Sequence, residues 1–185
     1  MPRDSEQQAA FSLIELMAVV AILGVLAAIA IPSLVGYVRR ARASEAVQNI
    51  GTLYGAAAAL YTAERATRGA TANVVTGCVA EPTPTTPSVP TPSKQPFVAV
   101  GGFLQLGFKL ADYVYFGYAI SSIGTVGQVT CFTANGTMSS RVYTFIAHGD
   151  LDGDGTLSTF ELAVGSSETH QLYHARGMYI RNEIE

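Results

Sequence analysis

Three sets of residues have the types and spacing to do chemistry. The first is DLDGDGTLSTFE, residues 150–161. Asp150, Asp152 and Asp154 alternate so that three carboxylates converge on one point, and Gly155 permits the sharp turn this needs. Thr156 offers a backbone carbonyl, Ser158 a direct or water-mediated contact, and Glu161 two further oxygens. Hard oxygen donors with clustered negative charge suit Ca²⁺ in a structural role. Without an ion, the same residues form a solvated acidic turn. The second is Glu15, an acid at the start of an otherwise apolar run. A carboxylate in hydrocarbon costs about 2.5–3.5 kcal/mol even on insertion scales, so it needs a partner or must reach the membrane interface. The third is Cys78 with Cys131, the two cysteines of the chain. An even count beyond an apolar anchor suggests an exported, oxidised domain. Paired, they close a long loop worth about 4 kcal/mol in the chain-entropy model; the alternative is two buried thiols.

These residues need elements to position them. No charge interrupts 16–38, which as a helix is about 35 Å long and covers a hydrocarbon core of about 30 Å. Ala18, Ala21, Gly24, Ala27 and Ala28 would let another helix approach closely. Pro32 removes one backbone hydrogen bond, so a kink or local melting is expected there. Beyond it, Ala43, Val47, Ile50, Tyr54, Ala57 and Tyr61 recur at spacings of four and three. That is an apolar stripe facing a globular partner, with Arg40, Arg42, Glu45, Gln48 and Asn49 on polar positions. The helix is expected to run from near Phe11 to about Glu64. Six of the eight prolines then fall between Pro82 and Pro96, so 65–96 reads as an exposed connector loop. The segments 97–108, 112–120, 128–134 and 141–147 read as strands, with 178–182 as a last one and Asn135-Gly136 as a turn. The fold class is α+β: a long N-terminal helix packed on an antiparallel sheet. His170 and His174 lie four apart with no third ligand nearby and read as solvent-facing.

FSLIELMAVVAILGVLAAIAIP, with the short polar leader MPRDSEQQAA before it, resembles the N-terminus of type IV pilins and type II secretion pseudopilins. The resemblance covers about the first third of the chain. It implies a leader of residues 1–10 cut between Ala10 and Phe11 by a prepilin peptidase, with the new Phe11 amine N-methylated. Ala10 stands where the family usually has Gly, and the leader sets Arg3 against Asp4 and Glu6. The resemblance implies that 11–38 crosses the inner membrane once and later serves polymerisation, with Pro32 part of that helix. It implies that Glu15 pairs with the N-terminal amine of a neighbouring subunit. Residues 39–64 would be the amphipathic half of the helix, and 97–185 the sheet head of a pilin fold. The loop at 150–161 resembles an EF-hand calcium loop, though its flanks are not a helix pair. Arg39, Arg40 and Arg42 after the span would by the positive-inside rule face the cytoplasm; the cysteines and the resemblance place the head in the periplasm.

Net charge is −3, and nothing in the charge pattern points to nucleic acid. No nucleophile elbow, phosphate loop, dinucleotide fingerprint or zinc-type cysteine cluster is present in the sequence, so a structural rather than enzymatic protein is expected. The implied function is a subunit polymerising into a type IV pilus, with the inner-membrane assembly platform as partner. Alternatives are a pseudopilin of a short periplasmic filament and a monomeric, anchored calcium-binding module.

Overall fold

The computed structural model describes residues 12–66, 74–132, 141–167 and 171–185. The chain divides into two units, Met1–Val38 and Arg39–Glu185. One helix, α1 (Leu13–Thr62), contributes to both. In the first unit the helix runs on through Pro32 without a break, so the expected melting does not occur. Every residue from 12 to 35 is exposed, and Leu13, Ile14, Val20, Val25 and Ile29 are each more than 60% open to solvent. A helix bare and apolar on all sides is built to be covered by lipid or by other helices. Among the described residues it is the one helix long and apolar enough to cross a membrane.

The second unit packs the rest of α1 on a sheet. Its strands are β1 (Arg65–Ala66), β2 (Val74–Val79), β3 (Thr83–Thr86), β4 (Gly117–Ser122), β5 (Thr130–Phe132), β6 (Tyr143–Gly149), β7 (Ser158–Ser166), β8 (Leu172–His174) and β9 (Tyr179–Arg181). The main sheet has the order β3-β4-β6-β7-β8, with β9 also on β7, and every pairing is antiparallel. A smaller sheet joins β1, β2 and β5. The α+β architecture expected from the sequence is therefore the one observed.

Alternation on β6 turns Tyr143, Phe145 and Ala147 inward, and β7 adds Phe160, Leu162 and Val164. Against them α1 buries Ala43, Ala46, Ile50, Leu53, Ala57, Leu60 and Tyr61. Ala43, Ile50, Ala57 and Tyr61 are buried as expected, but the stripe is rotated to take in Ala46, Leu53 and Leu60, whereas Val47 is 44% exposed and Tyr54 only partly buried. The reason is polar. Glu45 and Asn49, expected on an outer face, are drawn against the sheet, where Asn49 Nδ2 donates to the Tyr118 hydroxyl at 2.7 Å and Glu45 Oε1 accepts from the Tyr115 N–H at 3.0 Å.

Several segments depart from the sequence reading: β7 and β8 were not expected, and the strand expected at 112–120 begins only at Gly117. The connector is not all loop, because 65–96 supplies β1, β2 and β3. Thr83-Pro-Thr-Thr86 forms an edge strand, the position in a sheet where a proline's missing N–H is tolerated. Residues 97–108 are not a strand. Gly101 has φ 51, and a short helix α2 (Gly102–Gln105) follows. This turn folds Phe97, Phe103 and Phe108 into one aromatic cluster with Tyr118. The Asn135-Gly136 turn lies outside the described residues.

Candidate functional site

At the start of α1 the Ser12 N–H donates to Glu15 Oε2 at 3.0 Å, and the Glu15 N–H donates to the Ser12 carbonyl at 3.1 Å. Ser12-Leu-Ile-Glu15 is the S-x-x-E pattern of a capping box, in which the acid reaches back to an orphan donor at the helix start. This reading was open in the sequence, because the three-residue spacing of Ser12 and Glu15 alone carries it. The Glu15 carboxylate is exposed and meets its own chain. Ala10 and Phe11 lie outside the described residues. Ala18, Ala21, Gly24, Ala27 and Ala28 are all exposed, and a side chain at Gly24 would meet nothing within 4 Å.

The acidic residues occupy the hairpin between β6 and β7. The register Gly149↔Ser158 leaves 150–157 as the loop. Asp150, Asp152 and Asp154 bring carboxylate oxygens within 4.8 Å of one another. Asp150 is nearly buried; its Oδ1 accepts from the Gly153 N–H at 2.7 Å and its Oδ2 from the Gly155 N–H at 3.3 Å. Gly153 and Gly155 have φ of 82° and 86°, left-handed values that glycine adopts without a Cβ penalty. Asp154 Oδ1 accepts from the Thr156 N–H at 2.6 Å, and this bond, with the Thr156 side chain and the Arg39 charge, holds its carboxyl below the usual range. Arg39 Nη1 reaches Asp152 Oδ2 at 3.2 Å.

Of the six expected ligands, the fold gathers the three aspartates and keeps exposed Thr156 in the loop. Ser158 and Glu161 are elsewhere. The Ser158 hydroxyl is buried and donates to the Gly149 carbonyl at 3.1 Å. Glu161 stands within β7, opposite Ile146 and Tyr179. An EF-hand closes its loop by turning into a helix; here the chain returns as an antiparallel strand, which carries Glu161 about 10 Å from the hairpin end. Instead the C-terminal Glu185 approaches: partial desolvation, then the carboxylate of Asp152, hold its carboxyl above the usual range. Nothing in the sequence spacing signalled that meeting. His174 stands in β8, its ring edge-on to Tyr54 at 4.7 Å, and not on a helix; His170 is outside the described residues.

Residues 7–31 match the family model of the prokaryotic N-terminal methylation motif. The chain is type IV pilin-like at its N-terminus. No curated protein and no solved structure matches it.

The remaining site residues lie in the second unit. Cys78 and Cys131 face each other across β2 and β5 and form a disulfide. Of the three arginines after the apolar run, Arg39 is held by Asp152, and Arg42 lies over the Tyr115 ring at 4.6 Å. The folded head thus engages two of the charges that a positive-inside count would assign to the cytoplasm.

Proposed function

We propose that this chain is a structural subunit of a type IV pilus. In this reading the apolar half of α1 anchors it in the inner membrane, prepilin peptidase cuts between Ala10 and Phe11, and the Phe11 amine is methylated. The assembly platform then moves the subunit into a filament whose core is made of such helices. The observation that carries the reading is the methylation motif at 7–31 running directly into a helix that is apolar and exposed on every side. Small residues along that helix support close packing in a filament. A pseudopilin of a periplasmic filament uses the same parts, so the place where the filament is found separates the two. The test is the N-terminus of the mature protein. Methylated Phe11 in material sheared from the cell surface supports the pilus. The same terminus found only in the periplasm favours the pseudopilin, and a retained leader removes both.

A Ca²⁺ ion at the hairpin is part of the proposal. Asp150, Asp152 and Asp154 supply three convergent carboxylates, a donor set suited to a hard dication. Glu185 lies near Asp152 at the edge of this cluster but is not one of the three clustered carboxylates. A bound ion would supply no chemistry here beyond offsetting the carboxylate repulsion and fixing the hairpin.

A further inference from the structure

On the face of the main sheet turned away from α1, β7 presents Glu161, Ala163 and Gly165 in alternation. Tyr179 on β9 stands opposite Glu161, and Tyr173 on β8 stands opposite Gly165. The two rings are therefore four strand positions apart, about 13 Å. They are 57% and 49% exposed. Nothing taller than Ala163 rises between them on β7. Two cavities lie along this row. One, about 340 Å³, is lined by Tyr179, Glu161 and Thr144; the other, about 250 Å³, by Tyr173 and Gly165. They share Arg141, Ala163 and Ala175, so they form one slot with an aromatic ring at each end and a guanidinium between.

We infer that this slot binds a linear oligosaccharide. Sugar rings present an apolar C–H face and a rim of hydroxyls. The first suits an exposed tyrosine ring, which is apolar in body and polar at its tip. The second suits a neighbouring donor fork and carboxylate, as Arg141 and Glu161 provide. Other occupants fit less well. The β7 backbone beneath the slot is already paired on both sides, by β6 and by β8 or β9, so an extended peptide gains no ladder there. One arginine balanced by one glutamate gives no field for a nucleic acid. The slot belongs to the second unit alone, and the inference stands whether or not the chain polymerises.

The experiment uses the full chain in zwitterionic micelles, titrated with cellotriose, chitotriose and maltotriose and followed by NMR and calorimetry. At least one trisaccharide should bind, and more tightly than its monosaccharide. Tyr173→Ala and Tyr179→Ala should each weaken that binding about two- to tenfold, the worth of one ring contact, with unchanged thermal melting. Glu161→Gln serves as a third variant that leaves both rings in place and should also weaken binding. No response to any trisaccharide up to its solubility overturns the inference. So does binding indifferent to all three substitutions, or self-association that depends on the two tyrosines without any response to sugar.

Discussion

A methyl group added at Gly102 would stand 2.3 Å from the Glu81 carbonyl oxygen, which belongs to the backbone and cannot swing aside. The Gly102 N–H is also fixed by the Thr83 hydroxyl at 2.7 Å. Gly102→Ala should therefore cost about 1–3 kcal/mol, the usual range for overpacking, read as a lower denaturation midpoint of the head. The buried phenols make a second prediction at this scale. Burial raises Tyr118, with the nearby Glu45 charge adding to it and the Asn49 hydrogen bond opposing. Burial likewise raises Tyr143, against the hydrogen bond from the Ala80 N–H. Below about pH 10 the phenols are protonated both folded and unfolded, and their contribution is fully present. Above it the unfolded chain releases these protons while the fold retains them, so the unfolded state binds fewer and stability falls as pH rises. The loss should approach about 1.4 kcal/mol per pH unit for each phenol. Melts across the alkaline range should show it, and Tyr143→Phe should reduce the slope.

The β6–β7 hairpin and the β2–β5 staple carry the element-scale predictions. If Ca²⁺ sits among the three aspartates, free ion at a hundred times its dissociation constant should stabilise the chain by about 2.7 kcal/mol. Chelator should reverse the gain, and Asp150→Ala should abolish the response, because Asp150 also anchors Gly153 and Gly155. A melting temperature indifferent to both calcium and chelator removes the ion. The disulfide closes a sequence separation of 53 residues, and replacing both cysteines by serine should cost about 4 kcal/mol in the chain-entropy account. These elements also show what the sequence discloses. The clustering of Asp150, Asp152 and Asp154 was legible because alternation and glycine act locally. Glu161 was misplaced because its position depends on whether a helix or a strand follows the loop, which the pairing with β6 decides. Glu185 was invisible, since its approach to Asp152 depends on β9 docking to the start of β7, Thr159–Glu161, beside the hairpin. Likewise the helical period was plain, but the polar grip of Glu45 and Asn49 on Tyr115 and Tyr118 set which side of it faces the sheet. The strand misread at 97–108 turned on Gly101-Gly102, a break that hydrophobic alternation does not register.

At the scale of the whole molecule, the bare apolar half of α1 must be covered, first by lipid and, in the pilus reading, then by its copies. Glu15 separates the candidate partners. As a helix cap it satisfies the Ser12 N–H, and a capping box accepts Gln nearly as well as Glu. As the partner of a neighbouring subunit's amine it must carry charge, and a pair about 4 Å apart at an effective dielectric of 20 gains about 4 kcal/mol. That is roughly a thousandfold in subunit affinity. Two substitutions tell these roles apart. Glu15→Ala removes both the cap and the charge, whereas Glu15→Gln removes only the charge. Both variants should still insert, because the apolar run is untouched, and both should be recovered from the membrane fraction. If charge pairing drives polymerisation, both lose sheared filaments alike. If capping is the whole role, the Gln variant assembles as the parent does and only the Ala variant falters.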